Sequence, residues 1–132
     1  SKVDKDKLLH ILLKKEDVQV QRLNVVEDHE FLQLAAMKLP AGKTFRPHKH
    51  VYCEKTSTIA QESWVVISGK VMAILYDIDD KIVAKEILYA GDCSITLHGG
   101  HTYEILEDDT LVYEYKTGPY LGPTKDKEFI ER

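Results

Sequence analysis

Cysteine is scarce in this chain of 132 residues: only Cys53 and Cys93 occur, far apart and with no C-x-x-C pair. A disulfide framework is therefore not expected. Long apolar runs are also missing, and the chain opens on Lys and Asp instead of the apolar stretch of a signal peptide. Neither a membrane span nor a secretory leader is expected, and a cytoplasmic setting follows. There is no excess of positive charge, since 18 basic residues face 22 acidic ones for a formal net charge of -4. Such a balance favours solubility and gives a poor steering field for nucleic acid or anionic lipid. Repeats and low-complexity tracts are absent as well. What is present, 43% hydrophobic and 30% charged residues, suits a single folded domain spanning residues 1–132.

The local patterns are mostly those of strands. Asp4 to Lys15 holds Leu8, Leu9, Ile11, Leu12 and Leu13 between charged ends and predicts a short N-terminal helix. Strands are expected over Val18–Leu23, Glu30–Leu39, Thr44–His50, Glu62–Ser68, Lys70–Tyr76, Ile82–Leu88, Cys93–Leu97, His101–Leu106 and Thr110–Lys116. Turn signals separate them, among them Pro40-Ala41-Gly42, Ser68-Gly69, Gly91-Asp92 and Gly99-Gly100. Short strands at this spacing predict an all-β domain, closed or two-sheeted, with an interior sized for side chains or a small ligand. Residues 117–132 form a tail broken by Gly118, Pro119, Gly122 and Pro123, which cannot be a central strand. Tyr120 and Phe129 in that tail either cover a pocket mouth or a second subunit, or anchor a plain surface segment. Val51 to Gln61 is the long internal loop, a common place for lids and specificity elements.

Arg46, His48 and His50 alternate, so in a strand their side chains leave one face. Two imidazoles flanking one point suit a divalent metal such as Zn, Mn, Fe, Ni or Co; the plainer alternative is an exposed polar strand face. Downstream, Glu62 opens an apolar strand ended by Gly69, and His101 follows the Gly99-Gly100 turn. The series H-x-H, E-x6-G and G-D-x6-G-x-H resembles the cupin superfamily, from about Gly42 to Tyr115. That resemblance implies a double-stranded β-helix, or jelly-roll barrel, with the metal held by His48, His50, Glu62 and His101, usually in a homodimer. Two features depart from the common pattern. Glu54 stands at the usual offset from His50 in place of Glu62, and the region before His101 lacks the family's proline and one residue, leaving His98 as a competitor.

Other residues complete the expected site. Arg46 shares the His face and suits bidentate contact with a carboxylate or phosphate, or else an ion pair with Glu54 at the rim. Tyr103 is a candidate proton donor, and Trp64 is either core or a platform for a sugar ring. His98 is a candidate ligand-binding residue. The run G-G-H-T-Y-E with V-Y-E-Y-K-T-G-P-Y is similar to small cupins of bacterial surface-sugar biosynthesis, including nonulosonic acids. With a metal of this kind the expectation is action on a sugar-related metabolite, as an isomerase or epimerase. The alternatives are a metal-dependent module that binds a sugar-like or acidic small molecule without turnover, and an Fe(II) dioxygenase.

Overall fold

In the computed structural model, which describes residues 1–131, strands dominate and form three open antiparallel sheets. In chain order they are β1 (His10–Leu13), β2 (Leu23–Asn24), β3 (Ala35–Ala36), β4 (Glu62–Ser68), β5 (Lys70–Tyr76), β6 (Ile82–Tyr89), β7 (Cys93–Thr96), β8 (Gly100–Ile105) and β9 (Leu111–Lys116). A 3-10 turn at Lys15–Asp17 and one short helix, α1 (Pro123–Asp126), complete the regular structure. The larger sheet has the order β1-β7-β4-β9, the second has β6-β5-β8, and β2 pairs with β3 alone. Among the described residues, no helix is long and apolar enough to cross a membrane.

Period-2 alternation builds the second sheet. In β5, Val71, Ala73 and Leu75 are buried while Lys70, Met72, Ile74 and Tyr76 are only partly covered. Those buried residues meet Val66 from β4 and Leu88 from β6, with Leu12, Trp64, Val83, Tyr103 and Val112 packed around them. The two larger sheets therefore share one core, in which each fully buried Val or Leu contributes about 1.5–3 kcal/mol. A second cluster, Val26, Ile95 and Leu97, lies with Ile11, Val25, Leu32 and Leu34. Strand β7 has all four of its residues buried, as expected for a strand covered on both faces.

Tight turns hold the hairpins together. Gly69 joins β4 to β5 at φ +86°, and a Cβ there would lie 2.8 Å from the Thr110 Cα, so both conformation and space demand glycine. Asp92 ties another turn to the N-terminal segment, accepting from the Lys15 N–H at 2.8 Å and the Tyr89 N–H at 2.9 Å.

Several expectations are corrected. The jelly-roll barrel of the cupin resemblance is not formed, because the sheets remain open and no strand closes them. The physical reason lies in Thr44–His50, expected as a strand: every residue from 37 to 59 is exposed, and none belongs to a sheet. Pro47 removes one ladder donor from that stretch. The assignment as a metal-binding cupin, with the isomerase, epimerase, dioxygenase and metal-dependent binding activities argued from it, loses its architectural basis. The N-terminal helix over Asp4–Lys15 is replaced by turns and β1. Ile11 packs into one cluster and Leu12 into the other, so this strand is apolar on both faces and lacks the alternation that marks a strand. Val18–Leu23 and Glu30–Leu39 shrink to the two-residue strands β2 and β3.

Candidate functional site: a polar row under an end cleft

Antiparallel register gathers the site. His10 pairs with Thr96, Thr96 with Glu62, and Glu62 with Lys116, which sets four polar side chains in one row across the larger sheet. The neighbouring row reads Leu12, Ser94, Trp64 and Glu114, where the sheet turns from polar end to apolar core. From the facing sheet, β8 brings His101 to the polar row. Its Nε2 lies 3.1 Å from Glu62 Oε1, and Lys116 Nζ lies 3.3 Å from Glu62 Oε2.

Glu62 is thus engaged through both oxygens. Burial pushes its pKa up, but the hydrogen bond and charge of His101, with Lys116 beside it, more than offset this and leave it below the ordinary glutamate value. Lys116 also meets Glu114 Oε1 at 3.1 Å and Asp126 Oδ2 at 3.7 Å. Desolvation works to lower its pKa, yet the hydrogen bond it donates to Glu114 and the charges of Glu62 and Glu114 raise it to about 12. At the far end of the row, His10 bridges the sheets through Thr96 Oγ1 at 3.1 Å and the Tyr76 carbonyl at 2.8 Å. Burial holds its pKa below the usual histidine value, favouring the neutral ring.

A cleft of about 800 Å³ opens over this row, within the range of small-molecule sites. Glu62, Thr96 and His101 form its polar floor, while Thr102 leaves the other face of β8 and lines the cleft together with Tyr76, Phe129 and Ile130. Five acidic residues contribute to its lining, Glu62, Asp77, Asp80, Asp126 and Glu128, of which Asp77 has its carboxylate buried against Ser1 and the Lys2 N–H. Ile59 and Ala60 reach its edge from the long exposed segment. A second groove of about 750 Å³ lies elsewhere, between Lys14, Lys15, Met37, Tyr89 and Asp92.

The residues expected from sequence divide sharply. Glu62, His101, Trp64 and Tyr103 are brought together: Trp64 and Tyr103 stack with ring centroids 3.9 Å apart and planes 10° from parallel, and the His101 ring lies 5.4 Å from that of Tyr103. Trp64 Nε1 donates to Glu114 Oε2 at 3.0 Å. The Tyr103 hydroxyl lies 2.7 Å from Ser94 Oγ, and its burial pushes its pKa above the normal tyrosine range. Tyr103 is accordingly held as a neutral hydrogen-bonding phenol in the core. Arg46, His48, His50 and Glu54 lie instead in the exposed segment, where His48 Nδ1 contacts the Arg46 carbonyl at 3.1 Å and the two His rings stand 5.5 Å apart. Arg46 and Glu54 form no ion pair among the described residues. His98 occupies the turn before β8, its N–H donating to the Leu9 carbonyl at 3.2 Å. Among the described residues no three His, Cys, Asp or Glu side chains converge as a metal ligand set. In this conformation the donors of His48 and His50 do not join Glu62, whose two oxygens already have His101 and Lys116 as partners.

Lys116, Asp126, Thr96 and His10 belong to the cleft or its polar row and were not singled out from sequence. A histidine inside the apolar run Leu8–Leu13 was a usable signal for His10. Lys116 and Asp126 carried none, because their place depends on which strands pair across long stretches of chain. No family model, no curated protein and no solved structure matches this chain.

Proposed function

We propose that this chain is a small-molecule-binding domain that holds a neutral, sugar-like ligand in the cleft over Glu62 and His101. The single observation that carries this reading is the Glu62–His101–Lys116 array on the floor of an 800 Å³ cleft. Charged hydrogen-bonding groups fixed by one another cost little to order when a ligand arrives. Glu62, Thr96 and His101 match hydroxyl groups, and the rings of Tyr76 and Phe129 in the lining match the C–H surface of a sugar. Acidic side chains outnumber basic ones around the cleft, with Glu62, Asp80, Asp126 and Glu128 against Lys116 and Lys127, which disfavours an acidic ligand. Free Cys53 and Cys93 fit a reducing compartment, which supports a cytoplasmic setting.

The test is amide NMR with glucose, N-acetylglucosamine and glucuronate as probes. A neutral sugar is expected to shift the resonances of Glu62, His101 and Thr102 more strongly than glucuronate does, and H101A is expected to abolish those shifts. Shifts confined to the groove at Lys14 and Asp92, stronger binding of glucuronate, indifference to H101A, or no response to any probe would overturn the reading.

A homodimer is supported by a separate feature. Strand β9 is an edge of the larger sheet, and Leu111, Tyr113 and Tyr115 stand exposed along it. Light scattering is expected to give a dimer mass that Tyr113→Glu halves; a monomer at micromolar concentration in the unaltered chain removes this part of the proposal.

A further inference from the structure

We infer that residues 38–60 form a basic strap that closes over the acidic cleft of the same chain. Four observations carry it. Both ends of the segment are pinned to the body: β3 ends at Ala36, and buried Gln61 accepts from the Leu32 N–H at 2.8 Å and donates to Glu30 Oε2 at 2.7 Å. The stretch between makes only local hydrogen bonds among the described residues, such as Lys43 N–H to the Pro40 carbonyl and Ser57 Oγ to the Ile59 carbonyl. It exposes Phe45, Val51 and Tyr52, apolar surface whose burial favours docking. Its charge also complements the cleft.

Lys38, Lys43, Arg46, Lys49 and Lys55 stand against the single acid Glu54 in the strap. The cleft is lined by Glu62, Asp80, Asp126 and Glu128, with Asp77 buried behind them, against Lys127 and against Lys116, which pairs with Glu62 and Asp126. Opposite fields of this kind steer a tethered segment onto its site, and salt weakens the attraction. The direction of closure follows from the hinge, since Ile59 and Ala60 already line the cleft. Cys53 lies six residues before Ile59, within roughly 20 Å of extended chain. Pinning at both ends favours closure on the same chain over exchange with a second copy. Closed, the strap covers the polar floor and makes the cleft a compartment; it extends the proposed function by giving that site a gate.

The test uses no ligand, so it and the ligand-binding reading fail separately. Cys53 is exposed and Cys93 buried, which leaves one native reactive thiol, in the strap. A second thiol is introduced by Thr102→Cys in the lining of the cleft or, as a control, by Glu86→Cys on the exposed edge strand β6. Under mild oxidation at low salt, T102C is expected to form an intramolecular disulfide with Cys53 at least tenfold faster than E86C, and 1 M NaCl is expected to slow it severalfold. Equal rates for the two variants, a disulfide joining two chains, or no effect of salt would overturn the inference. Hydrogen exchange of the unaltered chain gives a second reading independent of any variant's folding: amides of residues 44–56 are expected to exchange faster in 1 M NaCl than at low salt, and unchanged rates count against closure.

Discussion

Residues 62–116 and residues 37–60 are adjacent in sequence and opposite in physical character. The first stretch alternates apolar and polar side chains, turns at Gly69 and Gly91, and buries Val66, Val71, Leu75, Leu88 and Ile95. The second has comparable apolar residues in Phe45, Val51 and Tyr52 but leaves them in solvent. The difference teaches that hydrophobic content alone does not place a segment in a core. A strand needs a partner for its backbone groups as well as a face to bury, and Pro40, Gly42 and Pro47 interrupt the segment where the ladder would run. The same contrast separates scaffold from moving part.

The largest expected effect is on thiol chemistry, where each region holds one cysteine. Cys53 is exposed in the strap; Cys93 is buried in β7, where burial, with the charge of Asp92, pushes its thiol up to about 11. With an aromatic disulfide reagent at pH 8, Cys53 is expected to react at least about a hundredfold faster than Cys93, the latter only after global unfolding. Rates within a few fold of each other would break the division between a packed body and an exposed segment. In stability, Ile95→Ala is expected to cost about 2–5 kcal/mol in urea unfolding because it hollows a fully buried site. Val51→Ala, at a fully solvated position, is expected to cost less than about 1 kcal/mol. Equal costs would show that the strap is packed as tightly as the strands.

The body was legible because its physics is local. Strands β4 and β5 begin and end where alternation and the Gly69 turn put them, and β6 to β9 fall within a residue or two of expectation. Segments read wrongly lacked such local constraint. His10–Leu13 is apolar on both faces, so its sequence fits a helix or a doubly covered strand equally well, and pairing with β7 decided. His48 and His50 alternate as a strand would, yet they lie in the exposed segment outside every sheet, so the first of the three motifs behind the barrel likeness is not in a strand. Of the site, Glu62 was visible as an acid opening an apolar strand and His101 as a histidine starting a strand after the Gly99-Gly100 turn, both through the motif spacing. Their partners were not, because the row from His10 to Lys116 exists only through pairing of strands β1, β7, β4 and β9.

Smaller effects sharpen the comparison inside the polar row. Lys116 joins three carboxylates, so Lys116→Met leaves Glu62, Glu114 and Asp126 facing one another without their cation. The expected cost is about 1–3 kcal/mol, as for loss of one partner from a partly desolvated polar group. A surface pair gives a contrast: Lys81 and Asp79 lie 2.8 Å apart in a solvated turn, and Lys81→Met is expected to change urea stability much less than Lys116→Met does. Similar values for the two lysines would mean that the row is a solvated surface feature and not a preorganised floor.

The smallest effect concerns the pH dependence of Glu62. Its carboxylate has a lower pKa folded than unfolded, so ionised Glu62 stabilises the fold at pH values above the ordinary value near 4.5. That contribution is lost as pH falls through the lowered folded value, because the protonated acid no longer attracts Lys116 or accepts as strongly from His101. Glu62→Gln cannot ionise and carries no such dependence. Between pH 6 and pH 3 the unaltered chain is therefore expected to lose more of its urea stability than E62Q. Parallel curves would show that Glu62 gains nothing from its neighbours on folding. The floor of the cleft would then be three side chains that meet only when something else brings them together.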